Sequence, residues 1–217
     1  MKRVVLPEIL DELDGSDPRA IRSRRDLRLV NFFMGNERWI CRCIQSMARP
    51  SWTVSELGAG GGELLARLAG EGRSAVGYDF QPKPSTLPNS VSWRAGDFLT
   101  TLSNDSSEVV VGSLILHHFQ DEELALLGDY LKNKKSVIFA EPLRASFALA
   151  EGYLLWPLVG EVTRHDMMVS IRAGFQPGEL PQKLGLVEGW EWQESVTICG
   201  GLRSIGTRAL VESPSSR

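Results

Sequence analysis

One run of glycines and three acids mark where chemistry can happen in this sequence. The stretch VSELGAGGGELLARL sets Glu56 ahead of Gly58, Gly60, Gly61 and Gly62, at the end of a short apolar run and the start of a helical one. Glycines there let a backbone approach a ligand closely, and the following helix offers its N-terminal NH groups. Asp79 closes the next apolar run, SAVGYDF, about twenty residues on, the distance at which a ribose-binding acid is expected. Asp97 follows in RAGDF. The dinucleotide fingerprint G-x-G-x-x-G does not fit, because its third glycine position is Glu63 and a carboxylate there would repel a pyrophosphate. NAD and FAD are disfavoured on that ground.

Three histidines are the other titratable candidates. His165 stands beside Asp166, so a base with a carboxylate to orient it is one reading and a structural or capping histidine is the other. His117 and His118 follow the apolar run EVVVGSLIL and point to opposite sides if that run continues as a strand. One of the pair could then face a ligand. No group of these residues has metal-ligand spacing, and no metal is expected. Cys41, Cys43 and Cys199 show neither metal nor secreted-framework spacing and read as reduced thiols. The first two, two residues apart on a helix, are expected on different sides.

The elements that must position these groups follow from periodicity. PEILDEL reads as a short helix, the segment from about Asp17 to Gly35 as a second, and a third carries Trp39, Ile40, Ile44 and Met47 until Pro50 stops it. The second helix repeats apolar residues at Ile21, Leu27, Val30, Phe33 and Met34. From Thr53 strands and helices alternate: TVSEL, GELLARLAG, SAVGYDF, VSWRAG, EVVVGSLIL, DEELALLGDYLKN and KSVIFAEP. Alternation of this kind calls for a right-handed, doubly wound parallel sheet. An apolar helix from about Ser146 to Val159 and a segment around His165 come next. GWEWQESVTICGG and LRSIGTRALV then read as an antiparallel hairpin added to the sheet edge. ESPSSR is a low-complexity tail.

The 217 residues, 42% hydrophobic and with formal charge −3, suit one α/β domain with decoration. The balance of charges offers no global attraction to nucleic acid or anionic membrane. IRSRRDLR is the one basic run, and a solvated helix face is its simplest reading. The N-terminus turns acidic before any long apolar core, so no signal peptide is expected. The most apolar later run is too short to span a bilayer. A cytoplasmic location is expected.

The order Glu56, Gly58, Gly60, Gly62, then VGYDF, RAGDF and VVVGSLILHHF resembles the class I S-adenosylmethionine-dependent methyltransferases over roughly residues 51–211. The resemblance implies a Rossmann-like, doubly wound, seven-stranded sheet, mostly parallel with an antiparallel C-terminal edge hairpin. It also implies an N-terminal helical lid over 1–50, a catalytic domain over 51–217 and an acceptor-site insertion at about 143–185. S-adenosylmethionine is the implied cofactor. Glu56, Gly58, Ala59 and Gly60 would belong to its glycine motif, Asp79 would take the ribose hydroxyls and Asp97 the adenine amino group. Phe80 or Phe98 would cover the adenine, and Ser113 would face the methionine part. From the lid, Arg25, Arg28 or Asn31 would reach the cofactor carboxylate, Arg28 above all, with surface ion pairing as the alternative. His165 or His118 would be the general base. RDLRLVNFFMGNERWI and VTRHDMMVSIRAGFQPGEL resemble a bacterial subgroup of small-molecule methyltransferases. Phe147, Tyr153, Leu154 and Trp156 point to an aromatic, polyketide-like or lipid-like acceptor for O- or C-methylation. An RNA or protein methyltransferase is weakened by the acidic balance and by the absence of an N/D-P-P-Y-type motif. A non-catalytic binding protein of the same fold is the third reading. The acceptor atom and the oligomeric state are left open.

Overall fold

The computed structural model describes residues 1–209. The tail ESPSSR and the last two residues of LRSIGTRALV lie outside them. Seven strands form one sheet in the order β3-β2-β1-β4-β5-β7-β6: β1 Val54–Leu57, β2 Ala75–Asp79, β3 Ser92–Ala95, β4 Val109–Ser113, β5 Ser136–Pro142, β6 Trp190–Val196 and β7 Gly201–Arg208. The first five pair in parallel. β7 runs antiparallel to both β5 and β6, so it alone is reversed. The expected hairpin is present. Its second strand, however, lies inside the sheet against β5, and β6 forms the edge.

The central strands are buried on both faces, and their side chains divide by the two-residue period of a strand. Val110, Val137 and Phe139 pack on one side with Leu124, Leu127 and Leu131 of α6 (Asp121–Leu131). Val109, Val111, Ile138 and Ala140 pack on the other with Leu64, Leu65 and Leu68 of α4 (Glu63–Gly70). The strand order turns around between β1 and β4. An open α/β sheet binds ligands at the carboxyl ends of the strands flanking such a point.

The N-terminal region has three parts. Residues 1–8 and α1 (Ile9–Glu12) run along α8 (Glu161–Ala173) as a strap, fastened by the Val4 NH to the Arg172 carbonyl and by the Arg3 side chain. α2 (Pro18–Met34) starts where Asp17 accepts the Arg19 NH and stops at Gly35, which is left-handed. α3 (Asn36–Met47) packs on the sheet, where Ile40, Cys41 and Ile44 are fully buried. Its buried arc is wide enough that Cys41 and Cys43 both join one core, contrary to the expectation that they face different sides. Burial pushes the Cys41 thiol up to about 11, so it is inert at neutral pH. All three cysteines are free.

α2 also departs from its pattern. Ala20 and Ser23 make its buried face, and Ile21 and Phe33 are exposed. α7 (Ser146–Leu155), a short 3-10 turn (Trp156–Leu158) and α8 follow β5. α9 (Glu179–Lys183) leads back to β6. No helix among the described residues is long and apolar enough to cross a membrane.

Candidate active site

The turn after β1 closes on itself through the Gly62 NH, which bonds the Ala59 carbonyl, and is tied to β2 by the Ala59 NH on the Tyr78 carbonyl. Gly58 is left-handed (φ 64°), and a Cβ there would lie 2.8 Å from Ile115. Both conditions select glycine. The same contact joins the turn to the loop after β4. Gly60 is left-handed as well, and its NH bonds Asp79 Oδ2 at 2.8 Å. Asp79 Oδ1 accepts the Gln81 NH at 2.8 Å, which leaves each oxygen one lone pair for a ligand donor.

Glu56 is buried near the end of β1, and its Oε2 has no hydrogen-bond partner among the described residues. Burial pushes its pKa well above the carboxylate range, and Glu37, Glu63 and Asp79 add to the shift by repulsion. A buried, unbonded carboxylate at a ligand-binding edge is a place prepared for a cation or a donor. Asp97 caps α5 (Phe98–Thr101) through Oδ1 and the Leu99 NH, with Oδ2 making no bond among the described residues. Of the two rings, Phe80 is 70% exposed and open to a ligand face. Phe98 is in the core against Phe119, with centroids 5.1 Å apart.

β4 ends at Ser113, sooner than its apolar run implies. Leu114 takes a left-handed backbone (φ 55°), a strained conformation for a branched residue, held by its NH on the Ala140 carbonyl. Residues 116–118 form a 3-10 turn, so His117 and His118 are not on opposite faces of a strand; their rings stack with centroids 4.3 Å apart. Glu141, 1% exposed at the end of β5, holds this turn. It accepts the NH groups of Ile115, Leu116 and His117, and His117 Nδ1 at 2.9 Å. Burial works against charge on His117, but Glu141 and Glu8 outweigh it and push its pKa up to about 9. His118 is lowered by burial and by His117, against the pull of Glu8 and Asp11. Its two nitrogens lie 4.0 Å from Glu8 and 3.7 Å from Asp11.

His165, on α8, has Nδ1 2.9 Å from Asp166 Oδ1 and a half-exposed ring with Nε2 unbonded among the described residues. Asp166 also accepts the NH groups of Ile9 and Leu10, so it fixes the start of α1 as well as the imidazole. Arg28 is exposed and lines a surface groove of about 650 Å³ with Arg22, Arg25, Asp26, Leu29, Phe32 and Leu158. None of Glu56, Gly60, Asp79 or Asp97 lines it. Sequence reasoning missed Glu8, Asp11, Leu114 and Glu141. Only Glu141 left a signal, an acid inside an apolar strand.

Neither a protein-family model nor a curated protein matches the sequence. The structure does match solved ones. The plantazolicin methyltransferase BamL, in complex with a triazolic desmethylPZN analog and SAH, superposes with TM-score 0.72 at 12% identity over 92% of each chain. Magnesium protoporphyrin IX methyltransferase from Synechocystis PCC 6803, with bound SAH, gives 0.59 at 15% identity over 90% of this chain and 91% of that one. The pyocyanin biosynthetic protein PhzM gives 0.61 at 16% identity over 94% of this chain and 62% of that one. These likenesses establish the fold, a Rossmann-like methyltransferase fold with a seven-stranded mixed sheet.

Proposed function

We propose that this chain is an S-adenosylmethionine-dependent methyltransferase for a small apolar acceptor. The observation that carries the reading is the set of acids at the carboxyl ends of successive strands. Glu56, Asp79 and Asp97 stand there with unused acceptor capacity around a glycine turn. Each matches one part of the cofactor: the α-ammonium for the buried Glu56, the ribose diol for Asp79 and the adenine amino group for Asp97. Ser113 and Ala59 would flank the methionine part and Phe80 would cover the adenine. Structural neighbours crystallised with SAH support the same cofactor.

When bound, the cofactor supplies an activated sulfonium methyl group. The chain's work is then to align the acceptor, an effect that supplies about 7–11 kcal/mol of barrier reduction. Where the acceptor is a phenol or carbon acid, His165 is the base this geometry favours, because Asp166 holds Nδ1 and leaves Nε2 open. His118 has both nitrogens facing carboxylates and is less free. An aromatic, polyketide-like or lipid-like acceptor is favoured by the apolar surface of Phe147, Tyr153, Leu154, Trp156 and Leu158, all exposed and continued on α2 by Leu29 and Phe32. The three structural neighbours are named for plantazolicin, magnesium protoporphyrin IX and pyocyanin, which agrees with an acceptor of that kind. The groove's three arginines would suit an anionic group on such a molecule.

Calorimetric titration with S-adenosylhomocysteine, with NAD as control, tests the reading. Micromolar binding of the former alone, lost in Asp79→Ala, is the expected result. Binding of neither ligand would favour a non-catalytic role for the fold, and unchanged binding in Asp79→Ala would remove the site assignment.

A further inference from the structure

All three histidines of the chain gather around α1, which the sequence places far from each of them. Glu8 Oε1 lies 3.6 Å from His117 Nε2 and 4.0 Å from His118 Nε2. Both separations exceed the range of a direct hydrogen bond. The three ligand atoms all lie within 4.8 Å of one another. In a tetrahedral zinc site with bonds near 2.0–2.1 Å, ligand atoms sit about 3.4 Å apart. A contraction of a few tenths of an ångström would bring both His–Glu pairs to that distance.

The surroundings are those of a ligand set. Glu141 lies 2.9 Å from His117 Nδ1, so once the ring gives up a proton to a metal Nε2 can present its lone pair toward Glu8, the carboxylate–histidine arrangement that orients a metal ligand. Ser170 donates to Glu8 Oε1, and Asp166 pins the Ile9 and Leu10 NH groups so that Glu8 cannot swing away. Charge points the same way. Glu8, Glu141 and Asp166 are buried carboxylates, and among the described residues the one buried guanidinium beside them is that of Arg3, bonded to the His117 and Phe119 carbonyls. Acidic charge is therefore in excess there, a condition met by a bound cation or by a proton on His117.

We propose that Glu8, His117 and His118 form a site for one divalent transition-metal ion, zinc in the first instance, that clasps the N-terminal strap to the loop after β4. Imidazole and carboxylate ligands suit zinc, and solvent would complete the coordination. The clasp is independent of the methyl-transfer reading, so either can fail alone.

The test is titration of the full chain, stripped with EDTA, with zinc chloride. One site per chain is expected, together with a rise in melting temperature on saturation. Glu8→Gln and His118→Ala should each weaken binding by at least about tenfold, whereas Cys199→Ser, which removes the exposed thiol, should leave it unchanged. Circular dichroism melts of the variants without zinc show whether each is folded, and if Glu8→Gln is not, His118→Ala decides. Absence of saturable binding would overturn the proposal and leave protonated histidine as the counter-charge. So would wild-type affinity in both variants, or loss of binding in Cys199→Ser.

Discussion

Glu56, the last residue but one of β1, has a buried Oε2 without a bond among the described residues, and its pKa is raised by burial and neighbouring acids. A group whose folded pKa lies above its unfolded value contributes its full stability below the unfolded pKa and loses it as pH rises through the folded one. At neutral pH the residue therefore works against folding. Glu56→Gln should raise the melting temperature of the ligand-free protein, by about 2–4 °C for each kcal/mol recovered at this chain length. The same change should weaken S-adenosylhomocysteine binding by about 10- to 100-fold, the usual weight of a charged hydrogen bond. Calorimetry beside thermal melts reads both. His165→Gln makes a different prediction: cofactor affinity stays and kcat falls by about 10²- to 10⁴-fold for an acceptor that must lose a proton.

The strap, residues 1–8 with α1, is the element that most of the unforeseen contacts share. Arg3 alone bonds the carbonyls of Ala173, His117 and Phe119, pairs with Asp121 and stacks over Phe175. Arg3→Ala should cost about 2–3 kcal/mol of unfolding free energy, read as a lowered urea midpoint at unchanged slope. Amide exchange should speed up first in α1. None of this was legible in the sequence, because Glu8 and Ser170 meet across 162 positions and no local pattern encodes that. Local signals were legible. Asp17-Pro18 and Gly35 bound α2, the glycine turn sits where its spacing put it, and both faces of β4 are apolar. The boundary that failed did so for a physical reason. Leu114 and Ile115 continue the apolar run of β4, but the left-handed turn at Leu114 ends the strand and sends the histidines into a 3-10 turn. α2 misled in the opposite way, since apolar residues such as Ile21 and Phe33 face outward while the small Ala20 and Ser23 are buried.

At the scale of the whole molecule, the other end of the sheet carries a second buried charge cluster. Lys134 Nζ bonds Asp105 Oδ2 and the carbonyls of Asp105 and Ser107, while Ser55 and Ser107 donate to Asp105. The cluster ties β1, the approach to β4 and the start of β5 together, opposite the ligand edge. Burial alone would raise the Asp105 pKa, but the bonds from Lys134, Ser107 and Ser55 hold it below the usual value. A depressed carboxylate stabilises above its unfolded pKa, and the contribution is lost as pH falls through the folded one. Unfolding free energy should therefore drop below about pH 4, and Asp105→Asn should flatten that acid limb while lowering the neutral plateau. Urea titrations from about pH 3 to about pH 7 would check it.

The position of β7 bears on how the molecule is made. It is the last of the seven strands to leave the ribosome, yet it lies between β5 and β6, not at the rim. Until residues 201–208 emerge, β5 has an open edge, and β6 has no strand to pair with. A nascent chain in that condition offers an unpaired apolar edge to its neighbours on a polysome, the kind of surface that chaperones shield. Closure of the sheet is thus a late event of synthesis, and a chain stopped before Gly201 should collect in inclusion bodies although the glycine turn and the acids Glu56, Asp79 and Asp97 have already been made.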